Sequence, residues 1–513
     1  KIIAAAGDQP IRFLTEGPAG PAAWQPSSGK STTQQRPYWP WLLLAAFVLF
    51  AGCGDSGSGP GDDACDPPGD LAFSGSVLPV LQENCSIVGC HDETGNAAGL
   101  QLTSYGKLAD GSTTGSVTIP YAAEQSPLLQ RIQGRIEPRM PLGGDPLSEE
   151  DMKLLRCWIE QGASTDDGTA MYSASTRKAF VACQGEDAVA VLDMESNQLI
   201  RLIEVVAPHS VFVDEAAREV YVSRFETATD NLRVYDADTY ELLRTGEAGT
   251  FPALMMLTPD RSQLWVTNFD QVSGDNAVRV FDPSTLTQTH SFTIPNAEVP
   301  HGLDMTADGS LVYVTNILTD NVTIYRTTPA PAVVKQGIAI PAGTEAHQPQ
   351  QCVLSADDSR LFVSTLGTDK VFVMDTASYA WTASVDVGDT PWHLTLAPGG
   401  TELWVANWVE GSVSVVDVTS ADAPAVLATL QPTMDMSNGM PMNILRRPIG
   451  ISFTPDGSRV YVSNANDDDS AGHHPTPGGQ KNPGSVTIFD ATSREVIRDT
   501  SVPNFARFVS FLP

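Results

Sequence analysis

The sequence predicts a mainly β chain, a seven-bladed β-propeller preceded by a small, mostly α domain. Three observations carry that prediction. An aromatic residue followed by Val recurs at Phe180-Val181, Tyr221-Val222, Trp265-Val266, Tyr313-Val314, Phe362-Val363, Trp404-Val405 and Tyr461-Val462, 41 to 57 residues apart. Each pair is followed by an alternating run and then by a Pro that opens a further strand, giving four short strands per interval. Upstream of the first pair, helix-start and helix-stop residues bracket an apolar run. Composition agrees: 513 residues with 42 Gly and 37 Pro make a turn-rich chain, and 42% hydrophobic content is that of a folded one. With 61 acidic against 30 basic side chains and a net charge of −31, the chain cannot neutralise phosphates and is not expected to bind nucleic acid.

Residues 1–52 read as a signal peptide. They hold four basic residues (Lys1, Arg12, Lys30, Arg36) and two acidic ones (Asp8, Glu16), a balance of +2 that leaves −33 for the rest. Leu42 to Gly52 is an apolar run of eleven residues. A membrane-spanning helix needs about 20, so the run fits a signal core. The chain opens on Lys1 with no Met before Met140, so its natural start is expected elsewhere. Leu49-Phe50-Ala51-Gly52-Cys53 resembles a bacterial lipobox, with Phe50 where Leu is usual. That resemblance implies a lipoprotein acylated at Cys53. Residues 53–71 then form a tether: positions 54–70 hold five Gly, five Asp, three Pro and two Ser, too little apolar surface to build a core.

The small domain spans 72–165. Its informative run is Cys85-Ser86-Ile87-Val88-Gly89-Cys90-His91. Covalent haem attachment needs two thiols for the porphyrin vinyl groups and a His beside the second to ligate iron. Here four residues separate the thiols, where two are usual. A Cys85–Cys90 disulfide, or zinc held by a subset of Cys65, Cys85, Cys90, His91 and Cys157, are the alternatives these residues leave open. Downstream stand Gly99-Leu100-Gln101-Leu102, Ser126-Pro127-Leu128, Met140-Pro141, and a helix through Leu154, Leu155, Trp158 and Ile159. Ser148 supplies its N-cap, acids fill its first turn, and Gly162 supplies its C-cap.

This order of segments resembles the small cytochrome c domains of planctomycete and myxobacterial surface proteins. The resemblance implies one haem c, with thioether bonds at Cys85 and Cys90, His91 as proximal ligand and Met140 as distal ligand. With both axial positions filled, it implies electron transfer rather than oxygen chemistry. The competing reading of Met140 is core packing. Cys65 and Cys157 flank the domain and are candidates for a bridge closing it, a pairing left open. Cys183 and Cys352 lie in strand-like runs and read as buried thiols.

Residues 174–513 hold the repeats. The alternating strands run over 188–193, 231–236, 277–282, 321–326, 370–375, 412–417 and 485–490, and the strand-opening prolines are Pro208, Pro252, Pro300, Pro349, Pro391, Pro448 and Pro503. Tight turns such as Asp308-Gly309 and Asp456-Gly457 precede the aromatic strands. The first unit lacks an inner strand and the last strand, 505–512, lacks outer ones, so the two are expected to complete one blade and close the ring. Trp265-Val266-Thr267-Asn268, Tyr313-Val314-Thr315-Asn316 and Tyr461-Val462-Ser463-Asn464 resemble the Tyr-Val-Thr-Asn propeller repeats.

The Pro-bearing loops share one face of such a ring. His209 and His301 directly follow a Pro, His393 stands two after Pro391, and His347 two before Pro349. The Met-rich loop 434–442, Asp467 to Asp469 and His473-His474 are expected there too. Imidazole and thioether groups together suit copper or a second haem, as in the haem-holding propellers of nitrite reductases. No Ser-His-Asp order, phosphate loop or His-Glu-x-x-His motif supports hydrolase or nucleotide chemistry. Three functions remain. One is a lipid-anchored c-type cytochrome of the periplasm or surface of a Gram-negative bacterium, its propeller binding a redox partner or a small-molecule substrate. Another is a surface binding protein with a disulfide in place of haem. The last is an oxidoreductase with a reactive metal on the propeller face.

Overall fold

In every blade the second strand carries the aromatic-Val pair, and the pair is buried. The computed structural model describes residues 65, 71–270, 274–295, 297–435, 441–466 and 482–513. Seven four-stranded antiparallel sheets follow one another around a ring. Their innermost strands are Pro208–Asp214, Pro252–Leu257, Pro300–Met305, Pro349–Leu354, Pro391–Leu396, Pro448–Phe453 and Ala506–Leu512. The fold is the expected seven-bladed propeller. None of the seven aromatic residues is more than 1% exposed, because each packs into the next blade. Tyr221 joins Met255, Leu257 and Leu264, Trp404 joins Ile451 and Val460, and Tyr461 meets Phe511 at 5.1 Å between ring centres. Each such ring contributes about 2 kcal/mol of apolar burial to a blade–blade contact.

The hydroxyl two places after the aromatic residue does a second job. Each innermost strand shifts register just after its first residue, which leaves one N–H outside the ladder. Thr315 Oγ1 accepts that N–H from Gly302 (2.9 Å) and donates to the Gln350 carbonyl of the next blade (3.1 Å). Thr267 Oγ1 donates likewise to the His301 carbonyl (2.8 Å), Ser223 Oγ to that of Ala253 (2.7 Å) and Ser364 Oγ to that of Trp392 (2.6 Å). Ser463 reaches the Arg507 carbonyl. Blades one and six have Ala182 and Ala406 at this position and lack the bond.

The ring closes as expected: Lys178–Cys183 pairs on one side with Ala188–Asp193 and on the other with Ala506–Leu512. One detail differs. Cys183 lies opposite Ala506 as Asn316 lies opposite Pro300, so Ala506, not Pro503, fills the strand-opening position of this blade. Pro503 lies in the turn after Val496–Val502.

Ahead of the ring, a helical turn Phe73–Val77 leads into α1 (Leu78–Asn84), followed by α2 (Tyr105–Ala109), α3 (Pro127–Ile132) and α4 (Glu149–Glu160). Ser148 caps α4, its side chain accepting the Asp151 N–H at 3.0 Å, and Gly162 follows at φ +94°. Phe73, Leu81, Leu102, Leu129, Leu155 and Trp158 build a separate apolar core. Cys65 and Cys157 are disulfide-bonded, with Cα atoms 5.3 Å apart, which ties the entry of this domain to α4. Among the described residues no helix is long and apolar enough to cross a membrane. The signal peptide, Cys53 and all of the tether but Cys65 and Leu71 lie outside the described residues, as do His473, His474 and Asp467 to Asp469.

The helical domain docks on the first and last blades. Ser116 Oγ donates to Gln198 Oε1 and the Leu199 carbonyl (2.9 and 2.8 Å). The Ser501 N–H donates to the Thr114 carbonyl (2.9 Å) and Arg498 Nη2 to that of Ser112 (2.7 Å). Ile119 inserts among Val181, Leu199, Val502 and Val509. The domain therefore spans the blade that closes the ring and its neighbour.

Candidate functional site

Cys85 ends α1 as its C-cap residue, and the chain then folds back so that the His91 N–H meets the Cys85 carbonyl at 3.3 Å. Both thiols are free. The Cys85–Cys90 disulfide expected as an alternative is not present. Burial, with the neighbouring Cys90 thiol adding to it, pushes the Cys85 thiol up to about 11. Cys85 is therefore not poised as a thiolate for disulfide exchange.

His91 is oriented by the Gly-Leu-x-Leu segment. Its Nδ1 lies 3.2 Å from the Leu100 carbonyl, and the Leu102 N–H donates to the His91 carbonyl at 2.9 Å. Leu100 and Leu102 are core residues, so this segment is anchored on one side and holds the imidazole on the other. A ring engaged through Nδ1 keeps Nε2 for a metal, the arrangement that fixes tautomer and orientation in metal-ligating histidines. Asp92 stiffens the following turn by accepting the Gly95 and Gly89 N–H groups (2.6 and 3.2 Å) and the Thr94 hydroxyl (2.7 Å).

Met140 sits on a separate loop hung from α3, its N–H donating to the Arg131 carbonyl at 3.0 Å. Its side chain is half-buried and outside the domain's apolar core. Large apolar side chains are exposed in both segments, Val88 at 88% and Leu142 at 74%. Two free thiols, an oriented imidazole, a thioether outside the core and exposed apolar flanks fit a large apolar group carrying iron.

The propeller histidines are placed differently from the open metal face that was expected. The residue after the opening position is, blade by blade, Arg507, His209, Ala253, His301, Gln350, Trp392 and Ile449; none is more than 2% exposed, and they form a closed layer across the centre. His209 and His301 rings lie 5.8 Å apart edge to face. Gln350 donates to the His301 ring at 3.2 Å. Arg507 Nη1 donates to Gln184 Oε1 at 2.9 Å. One residue further along its strand, His393 packs on Phe508 at 4.2 Å between ring centres. Burial above all, then the Arg507 charge, pulls His301 down to about 3. Burial, His301 and Arg507 pull His393 well down too, and burial brings Arg507 down to about 9.

His347 does not join them. Its ring packs on Phe372 at 4.9 Å, Nδ1 meets Thr368 Oγ1 at 3.0 Å and Nε2 the Pro341 carbonyl at 2.8 Å, so both nitrogens are in use. Among the described residues no group of three His, Cys, Asp or Glu side chains is arranged to hold a metal. Arg507, Gln350 and Gln184 were not singled out in the sequence. The signal that finds Arg507 is its place after Ala506, which strand register reveals and the lack of a Pro at that position conceals.

Residues 88–141 match the family model described as planctomycete cytochrome C, a segment that opens three residues after Cys85 and includes Cys90, His91 and Met140. Residues 219–473 match the model described as lactonase, 7-bladed beta-propeller. No curated protein matches the chain. Among solved structures, a functionally unknown protein from Desulfotomaculum acetoxidans is 11% identical with a TM-score of 0.52, over 65% of this chain and 98% of its own. A Lactobacillus plantarum protein is 19% identical with a TM-score of 0.51, over 66% and 99%. The periplasmic gluconolactonase of Pseudomonas aeruginosa is 15% identical with a TM-score of 0.51, over 66% and 99%. At these identities the likeness is one of fold.

Proposed function

We propose that the chain is an exported, lipid-anchored c-type cytochrome. Its helical domain would hold one haem through Cys85, Cys90 and His91, with Met140 as the second axial ligand, and its propeller would bind the redox partner or substrate. The observation that carries this reading is the Cys90-His91 pair, inside the segment matched by the cytochrome model, with its imidazole held through Nδ1 by the Leu100 carbonyl. When bound, the haem supplies one-electron exchange at a potential raised by a His/Met ligand pair. The chain's own contribution is to orient His91, to present two thiols on one short loop, and to keep Leu100 and Leu102 packed beneath that loop. Docking of the helical domain on the first and last blades fixes that site relative to the propeller.

Protein matured in a haem-attaching host should show a Soret band that persists after acid–acetone extraction and sharpened visible bands after dithionite. Replacing Cys90 by Ser should leave haem attached through one thioether at most, and His91→Ala should abolish the low-spin spectrum. A colourless protein with both thiols intact would overturn the reading. The anchor is tested separately: Cys53→Ser should move the protein from the membrane pellet to the soluble fraction, and unchanged partition would refute lipidation there.

A further inference from the structure

A cavity of about 380 Å3 opens between the helical domain and the first two blades. Tyr121 comes from the helical domain, Arg201 from the outer part of blade one, and Tyr240 from blade two. Its charges do not cancel. Lys178 Nζ donates to the Ala237 carbonyl (2.9 Å) and to Asp238 Oδ1 (3.2 Å). Asp238 also accepts Arg218 Nε and Nη2, at 2.6 and 2.7 Å, so the one carboxylate lining the cavity is saturated. The Arg201 side chain has no hydrogen bond or ion pair to any described residue. Its guanidinium lies 4.3 Å from the Tyr121 ring centre and 5.6 Å from that of Tyr240. The rings hold the cation in place through their faces and leave its in-plane N–H donors to the cavity.

We propose that this cavity binds a small organic monocarboxylate, with the carboxylate on Arg201 and an aromatic or short aliphatic body between the tyrosines and Ile200. The volume lies within the range of small-ligand sites, and a place between two domains is a common one for them. A single guanidinium matches one carboxylate in a paired, two-bond geometry. Lys178 and Arg218 are engaged on Asp238, so Arg201 alone presents unengaged N–H donors, a planar pair that matches two carboxylate oxygens better than the three of a phosphate.

The test is calorimetric titration of the full chain with benzoate, its neutral analogue benzamide, and inorganic phosphate. Benzoate should bind saturably, with benzamide and phosphate each weaker by about tenfold or more, the value of one charge-assisted contact. Arg201→Met should lose that tenfold and Arg201→Lys should recover part of it, both with the melting temperature of the parent. Absence of saturable benzoate binding, equal binding of benzamide, tighter binding of phosphate, or an Arg201→Met variant that binds benzoate like the parent would each overturn the proposal. If Arg201→Met melts early, Tyr240→Phe and Tyr121→Leu provide the second reading: the parent's preference for benzoate over benzamide should persist in the first and weaken in the second. Neither readout depends on haem, so failure here leaves the spectral test of the cytochrome untouched.

Discussion

At the residue scale, the hydroxyl of the aromatic-Val-Thr motif explains more of the architecture than its size suggests. One oxygen accepts the N–H that the register shift releases and donates to the neighbouring blade, so it removes an unsatisfied group and links two sheets at once. Thr315→Val should therefore cost about 1 kcal/mol or somewhat more, because the Gly302 N–H is left without a partner. Blade six has the vacancy by nature. Ala406→Ser would offer the same two bonds, to the His393 N–H and the Ile449 carbonyl, and should raise stability by about 0.5–1 kcal/mol. Urea midpoints at constant slope check both. A destabilised Ala406→Ser variant would show that blades six and seven are spaced differently from the rest. The motif was legible in the sequence as a strand marker. The partner of its hydroxyl was not, since that partner lies about 35 residues away on another sheet.

The aspartates make a related point at the residue scale. Asp260, Asp308, Asp357 and Asp456 each accept the N–H two residues on and the hydroxyl two residues back. They tie the turn between the first two strands of a blade. Asp236, Asp282 and Asp490 do the same for the outer hairpin. Hydrogen bonding to the ionised form holds these carboxyls below their ordinary range. Part of the chain's acidity is thus turn chemistry rather than undifferentiated solvated surface.

At the scale of elements, the decisive strand is Ala506–Leu512. It supplies the inner strand to a sheet whose other three strands begin the ring, and its first residues include Arg507 and Phe508 at the centre. Ending the chain at residue 505 should leave the Lys178–Cys183 edge unpaired, remove the central cation and open the ring. The expected outcome is loss of a single cooperative melt together with self-association on a sizing column. A truncated chain that melts like the parent would show that closure is dispensable. The closing blade was legible from the mismatch between the two ends of the repeat. The identity of its opening residue was not, because Ala506 replaces the Pro that marks the position elsewhere, and hydrogen-bond register is a property of paired strands.

At the scale of the whole molecule, the centre of the ring sets the acid side of stability. His301 and His393 stay neutral in the folded chain, with His301 down to about 3, whereas unfolded histidine titrates near 6.5. Between those values the unfolded chain binds more protons, so stability falls as pH drops from about 6.5, by up to about 1.4 kcal/mol per pH unit for each imidazole. The groups that face them include Arg507, His209, Gln350, Phe269 and Phe508. Asp304, which burial pushes up to about 6, works in the opposite direction. The comparison of His301→Gln with the parent cancels that contribution. The variant should lose less stability than the parent between pH 7 and pH 5 in urea titrations, and an identical pH slope would refute a buried neutral imidazole.

Taken over the whole chain, the sequence by itself determined the repeat, its number of blades, the closure of the ring and the helix that ends the small domain. Each of these is written in local spacing: period-two alternation, a Pro or turn at a fixed offset, a cap at a helix end. The Cys85, Cys90 and His91 cluster was visible as a candidate site, because it lies within seven consecutive residues. Only the tertiary structure decided what the propeller histidines do. Proximity to a Pro placed four of them on one face, but burial and the shape of the neighbouring strands took His209 and His301 into a closed layer, set His393 against Phe508 and left His347 bonded elsewhere. It alone brought Arg201 between two tyrosines from different domains. Such meetings depend on how sheets pack in three dimensions, and no spacing along the chain encodes them.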